Sequence, residues 1–471
     1  MAPPIHWDEE KGSGSPYFTW VYGCQIADVA VDLRTGKVTV NSVVATHDVG
    51  KVINPVGLNG QVYGGVLQGM IGYGMLEDFN TEQGVVKSEN FDTYLLPTIK
   101  DMPPIIINAI ENADKAGPMG GKVIGEPVLE LGAAALNNAV SFAIGRFNRT
   151  LPLTLEQVRL GYNLKKPARQ SERLFDCGPK KEVHRLNTVS LKVAHTLKEA
   201  LTLMAENAAQ PIAGGTDVLV QARLRCDAVP LVNIAGLAEL KEIFDLDGGL
   251  SIGAGVCFSD LIKHPLVQQR YPLLITACKT IGSLQLRNRA TLGGNVVNAA
   301  PCADSLPPLI IYDAQVELRS LRGTRRLLVS EFVTDGYRTG IAADELVTRF
   351  ILPVPMTQPL VECYLQLGRR NALNITRQSL SGQFHVDSRG TIRICRLVDG
   401  ALMRKPQRLS PVEEALVGQP LNAASIDKAA QVLKGMVDEA IGGRWSAPYK
   451  IPVFVDMFRL MMQDVITEQS N

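Results

Sequence analysis

The 471 residues carry 48 basic against 47 acidic side chains, and 46% of them are hydrophobic. That length predicts two to four domains with real cores, and the balanced charge supplies no field for nucleic acid or an anionic membrane. The eight cysteines form no C-x-x-C pair, which argues against a disulfide scaffold, a zinc ribbon or an iron–sulfur cluster on this chain, and no metal ligand set is assigned.

The start lacks a basic-then-apolar leader, and no run approaches the ~18 consecutive apolar residues that would span a bilayer. A cytoplasmic protein without membrane contact is the expectation. In chain order, residues 24–47 read as a hairpin, with Ala27, Val29, Val31 and Leu33 alternating before an Arg34-Thr35-Gly36 turn. A glycine-laden apolar segment runs from Gly57 to Leu76. Gly117-Pro118 to Gly125-Glu126-Pro127 then leads to a helix over about 130–145. Residues 168–187 are polar, charge-dense and aperiodic, as a linker is.

Beyond the linker the pattern is α/β. A helix over about 196–207 leads into a strand, Pro211-Ile212-Ala213. Further elements are a strand at 250–256, a helix at 266–281 and a hairpin about Arg322-Gly323. Strands near 362–398 precede two helices, about 425–441 and 451–467.

Two glycine loops stand out here, Gly214-Gly215-Thr216-Asp217 directly after a strand, and Thr291-Leu292-Gly293-Gly294-Asn295 followed by Asp304. Paired glycines admit positive φ and leave no Cβ in a ligand's way, so successive N–H groups can form a nest for a pyrophosphate. Thr216, Thr291 and Asn295 add donors, and Asp304 could accept from a ribose or adenine. Each loop alone is equally a plain tight turn. Neither is a G-x-G-x-x-G fingerprint, so a Rossmann nicotinamide site is not indicated.

Together, Pro211 to Asp217 and Leu286 to Asn295 with Pro301 to Asp304 resemble the two FAD loops of the flavin subunit of xanthine and carbon monoxide dehydrogenases. They stand in the family's order, about 75 residues apart. Gly336-Tyr337-Arg338, Glu345-Leu346-Val347 and Leu367 to Arg370 fall where that family has further signatures. The resemblance implies a p-cresol-methylhydroxylase (PCMH)-type FAD-binding domain of two α/β subdomains over 188–355, and a CO dehydrogenase flavoprotein C-terminal-like domain over 356–471. Gly214, Gly215, Thr216, Thr291, Gly293, Gly294 and Asn295 would then surround the pyrophosphate, with Asp217 a further cofactor-binding residue and Asp304 on the ribitol or ribose side. Val347 would lie by the ring, and Ile281 and Gln366 would also border the cofactor. Some relatives have a lysine where Gln366 stands, so flavin potential or nucleotide access would differ here.

Residues 1–167 resemble the C-terminal, α+β part of molybdopterin-binding subunits of the same enzymes. The match lies in His47-Asp48-Val49-Gly50, Ile53-Asn54-Pro55, Gly117 to Pro127 and Leu151 to Thr154. A lone carboxylate such as Glu126 is ordinarily a solvated or capping residue. The resemblance instead makes it the catalytic base, which must start anionic despite burial. Gly64, Gly65, Gly69, Gly72 and Gly74 would each cost a helix roughly 1 kcal/mol against alanine, which fits either a cofactor wall or close helix packing. Gln61 and Gln68 are candidate contacts to the pterin or ordinary amide hydrogen-bonders. Gly117 to Lys122 has the wrong spacing for a P-loop.

The resemblance to a molybdenum subunit covers its end only. A partner carrying the rest of the molybdopterin site and an iron–sulfur subunit are therefore expected, acting on a purine or related heterocycle with an acceptor such as NAD. Other readings stay open: a working flavin module with a remnant before it, a non-catalytic assembly module fused to a flavoprotein, or a self-contained PCMH-type flavin oxidase.

Overall fold

A computed structural model describes residues 6–470 apart from 16, 18, 80, 83, 89, 92, 165–189, 221–228, 248 and 359. The expected linker at 168–187 lies outside the described residues. The chain forms two compact units, residues 1–164 with 369–372, and the remainder.

In the first unit, β1 (Gly23–Asp32) and β2 (Lys37–Asp48) pair antiparallel through the Arg34-Thr35-Gly36 turn, with a bulge between Asp28 and Val29. Gly36 takes φ 74°, and a Cβ there would meet the Leu155 carbonyl at 2.2 Å, so only glycine closes this turn. Helix α1 (Pro55–Val66) starts on Asn54, whose side chain accepts from the Gly57 N–H, and runs on as a π-helix over Leu67–Leu76. A third strand, β3 (Ile105–Ile110), adds parallel to β2. Two short-range choices then build the core: α2 (Pro127–Glu130) begins on a proline, and α3 (Gly132–Ile144) ends at Gly145 with φ 65°.

The glycines of 57–76 divide by surroundings. A Cβ on Gly65 would meet Val128 at 2.3 Å, and one on Gly69 the Leu129 carbonyl at 2.0 Å, so these two let α1 and the π-helix press onto α2. Gly64, by contrast, has nothing within 4 Å. Residues Pro127–Ile144 are long and apolar enough, by length and composition, to cross a membrane. They are two helices that meet at Leu131 and carry the polar Glu130, Asn137 and Asn138, and they lay Val128, Leu136 and Val140 into the core of this unit.

Lys122 belongs to this core's polar edge. Its ammonium donates to Asp48 Oδ2 at 2.6 Å and to the Trp20 carbonyl at 3.1 Å, with the Lys122 and Asp48 side chains only 7% and 8% exposed. Burial alone would raise the Asp48 carboxyl, but the Lys122 ammonium and the Gly50 N–H outweigh it and hold Asp48 below the usual carboxylate range. Because the folded value is depressed, this stabilisation is present above the unfolded carboxylate range and is lost as pH falls through the folded value. Lys122→Met should destabilise the unit by about 3 kcal/mol at neutral pH by stranding a buried carboxylate. Urea unfolding followed by tryptophan fluorescence checks this, and the deficit should shrink in acid.

In the second unit, β4 (Leu191–Val193), β5 (Gln210–Ile212) and β6 (Leu231–Asn233) form a parallel sheet in the order β4-β6-β5. Helix α4 (Leu197–Asn207), capped by Thr196, turns Ala200, Leu201 and Met204 inward. An antiparallel five-stranded sheet follows, made of β7 (Ile243–Leu246), β8 (Gly249–Gly253), β9 (Gln315–Ser320), β10 (Gly323–Leu328) and β11 (Leu346–Leu352), ordered β7-β8-β11-β9-β10. The single helix expected over 266–281 is two, Pro265–Arg270 and Pro272–Thr280, because Pro272 has no N–H to continue the first and Tyr271 is pushed out of helical geometry. The strand expected at 250–256 ends at Gly253, where the backbone abuts the Leu240 carbonyl.

The last layer is an antiparallel sheet of β12 (Val361–Leu367), β13 (Gln378–Val386) and β14 (Ile392–Gly400). Helices Ser410–Leu416 and Ala447–Ser470 pack on it and Ala423–Ile441 packs on those two helices, with Val412, Leu416, Leu433, Phe454 and Phe458 in the shared core. The first of these three has no counterpart among the expected elements; seven residues give too few turns for a periodic signal.

Candidate flavin site and the carboxylate of the first unit

The second unit brings its two glycine loops into direct contact. A Cβ on Gly214 would stand 2.0 Å from the Arg289 carbonyl oxygen and 3.2 Å from Ala290 Cα. The first loop therefore rests on the segment that leads into the second, and only glycine allows the approach. Gly215 takes φ 73°, the left-handed backbone that glycine favours. Among the described residues, the N–H groups of Gly214, Gly215 and Thr216 donate to no backbone carbonyl. Asp217 follows, half-buried.

The second loop differs from the nest expected for it. Thr291 caps a helix, Leu292–Asn298, and its side chain accepts from the Gly294 N–H at 3.0 Å. Gly293 and Gly294 are the first turn of that helix, without positive φ, which among these four glycines belongs to Gly215 alone. Gly293 is small for another reason: its Cβ would meet the Ala254 carbonyl oxygen at 2.7 Å, the group to which its own N–H donates at 2.8 Å. Ala254 in turn donates to the Thr348 carbonyl at 2.9 Å, beside the buried Val347 on β11. Ile281 is half-buried at the end of the helix Pro272–Thr280, and its carbonyl accepts from Arg287 at 2.8 Å. Asn295 accepts from Ser305 at 2.6 Å.

Asp304 is the buried hub of the site, 6% exposed. Its Oδ1 accepts from Tyr364 and from Thr376, each at 2.7 Å, and its Oδ2 from Gln366 at 3.2 Å. Tyr364 and Gln366 are two apart on β12 and so share a face. Burial pushes the Asp304 carboxyl up to about 6 even though those donors pull it down. Nearby, burial raises the Cys302 thiol, with Asp304 and Asp217 adding to the rise. Tyr337, at φ 59°, donates its N–H to the Ala299 carbonyl at 2.8 Å, and Gly336 abuts Pro301. Residues 214–217, 289–304, 337, 364–366 and 376 thus converge.

Sequence reasoning missed Tyr364, Thr376, Cys302 and Arg289. A polar pair at i, i+2 on an apolar strand was a signal for Tyr364 with Gln366. Arg289 lies within the Leu286 to Asn295 string without a role of its own there, and nothing local marks Thr376; the parts both play rest on partners more than 70 residues away.

In the first unit, Glu126 occupies the N-cap position of α2, and its carbonyl accepts from the Leu129 N–H at 3.0 Å. Its side chain is exposed, not buried as expected, because α2 covers the core with Val128 and leaves this end bare. Gln61, also exposed, carries its Oε1 3.6 Å from the Cβ position of Gly125. The packing of α1 on α2 therefore brings Gln61 and Glu126 to one side. Gln68 is exposed and donates to Tyr73 at 2.6 Å.

The first loop fits a flavin dinucleotide: its glycine backbone is packed against the segment leading into the second loop, its N–H groups donate to no backbone carbonyl among the described residues, and a satisfied buried carboxylate lies nearby. Family models agree with that reading. Residues 187–355 match the FAD-binding domain in molybdopterin dehydrogenase, residues 364–465 the CO dehydrogenase flavoprotein C-terminal domain, and residues 2–103 a molybdopterin cofactor-binding domain.

The chain belongs to the xanthine dehydrogenase family of molybdenum hydroxylases and contains its FAD-binding subunit. It is 32% identical over 278 residues to the putative xanthine dehydrogenase FAD-binding subunit of Escherichia coli (strain K12), covering 58% of this chain and 94% of the relative. Over 145 residues it is 36% identical to the putative molybdenum-binding subunit of the same organism, covering 30% of this chain but only 19% of that relative. Among solved structures, a carbon monoxide dehydrogenase chain of Hydrogenophaga pseudoflava aligns with a TM-score of 0.53 and 26% identity, covering 57% of this chain and 94% of that one.

Proposed function

We propose that this chain binds FAD non-covalently through residues 214–217 and 291–295, and works as the flavin component of a molybdenum hydroxylase. Electrons would leave a molybdenum centre, cross iron–sulfur clusters of a partner subunit, and reach an acceptor such as NAD by way of this chain. The single observation that carries the reading is the close approach of Gly214 to the Arg289 carbonyl, which joins the two loops into one cradle.

Bound FAD would supply the acceptance and release of two electrons. The chain's own residues do the rest. The N–H groups of Gly214, Gly215 and Thr216 would hold the pyrophosphate, joined by the Thr291 and Asn295 side chains. Asp304, fixed by Tyr364, Thr376 and Gln366, would position the ribitol side. Val347 and Ile281 would keep water from the ring, and Gln366 would stand where some relatives carry a lysine.

The first unit does not fit molybdopterin by itself, because Gln61 and Glu126 face solvent with no opposing wall. Glu126 would act as proton acceptor only once a molybdopterin-binding partner encloses it around a purine-type substrate. The purified chain should therefore be yellow, release FAD on denaturation, and not hydroxylate xanthine alone. Absorbance spectra before and after denaturation, with a xanthine assay, check this. A colourless protein that takes up no added FAD sinks the flavin reading, and unaided turnover of xanthine sinks the need for a partner.

A further inference from the structure

The first unit holds about a third of the chain, yet more than half of the exposed large hydrophobic side chains among the described residues lie on it. They are concentrated in part on the sheet. One face of β1, β2 and β3 packs on the core through Val29, Val43, Ala45 and Ile107. On the opposite face, register aligns Ile26 with Val44 and Val44 with Ile106, one apolar row across all three strands. Ile26 is 62% and Ile106 57% exposed, and Ile110 on the same strand is 52% exposed.

The two sheet edges differ. On β1 the bulge after Asp28 and the acidic residues Asp28 and Asp32 blunt the edge, as natural edge strands require. On β3 the sequence Ile-Ile-Ile-Asn-Ala-Ile carries no charge, proline or bulge, and among the described residues it has no strand beyond it. A short apolar edge left regular is an open site for strand addition.

We propose that β3 and the row Ile26–Val44–Ile106 dock a molybdopterin-binding polypeptide, which extends the sheet past β3 and covers the row. The inference rests on the reading above that such a partner completes the first unit, and it names the surface that takes it. The occupant follows from coverage. The matching stretch of the Escherichia coli molybdenum-binding subunit is 19% of that polypeptide. A fifth of a folded polypeptide shares apolar surface with the other four fifths, since one fold buries its sheets on both sides wherever layers meet. The row and edge left bare here are surface of that kind.

The test co-expresses the full chain with the Escherichia coli molybdenum-binding subunit shortened by the 145 matching residues and tagged. Capture of the full chain should occur, and Ile106→Asp or Ile26→Asp should cut it at least tenfold. Both sites are exposed, so flavin content, read on the same samples, should not change. Val354→Asp, an exposed site in the second unit, should leave capture intact. Equal capture of wild type and both sheet variants overturns the surface. No capture of wild type overturns the partner, as does a concentration-dependent self-association of the chain that Ile106→Asp abolishes. Loss of flavin in wild type strikes the function proposed above and leaves the docking surface to be judged on capture alone.

Discussion

Gly214→Ala should weaken FAD binding by about a hundredfold, roughly 2.7 kcal/mol at 25 °C. The new Cβ would stand 2.0 Å from the Arg289 carbonyl oxygen and 2.7 Å from its carbon, both backbone atoms that cannot swing aside. One of the two loops must retreat by about 1 Å or more, and a rearrangement of that size in packed backbone costs on the order of 1–3 kcal/mol before any ligand arrives. The shifted loop would also turn the Gly214, Gly215 and Thr216 N–H groups away from their shared target. Gly435→Ala serves as the counterpart, because it lies inside the helix Ala423–Ile441 with nothing within 4 Å of the new Cβ. That change should keep FAD and add up to about 1 kcal/mol of stability through helix propensity. Flavin-to-protein ratios after gel filtration, with fluorescence titration of added FAD, measure both. Full flavin content in Gly214→Ala would show that the two loops do not form one cradle.

Asp304→Asn should change how stability depends on pH. The Asp304 carboxyl is raised to about 6 in the folded protein, above its ordinary value of 3.8. The folded state therefore binds this proton more tightly than the unfolded one, so the contribution is fully present below about pH 4 and is lost as pH rises through about 6. The loss is on the order of 3 kcal/mol. Asparagine does not titrate, so the stability difference between the FAD-free wild type and Asp304→Asn should move in the variant's favour by that order between pH 4 and pH 7. Asp304→Ala should be worse at every pH, by about 3 kcal/mol or more, since Tyr364, Thr376 and Gln366 would lose their shared acceptor in a buried place. Denaturant melts of the three proteins at pH 4, 5.5 and 7 give the comparison. A flat difference across that range would mean that Asp304 titrates normally and is not the desolvated hub described.

Features governed by neighbours in sequence were legible from residues alone. The 23–48 hairpin follows from alternation and a glycine turn, and the helix after Thr196 from a capping side chain and an apolar stripe. Pro272 should have been read as the break between two helices, because its effect on Tyr271 is local. The π-helix of Leu67–Leu76 had no such signal: its widened turn fits glycines pressed on α2, which lies some 60 residues later.

The candidate flavin site divides in the same way. The family, the two glycine loops, their order and the presence of Asp304 nearby were readable from the residues alone, since each is a short string with its own chemistry. The folded chain alone revealed that Gly293 and Gly294 begin a helix and that Gly214 makes room for the Arg289 carbonyl. The same folding sets Asp304 against Tyr364, Gln366 and Thr376 and leaves Glu126 in solvent. The reason is physical: a cap or a turn is closed by residues a few positions apart, whereas burial, clearance and hydrogen-bond partners belong to whatever distant strand the core brings alongside.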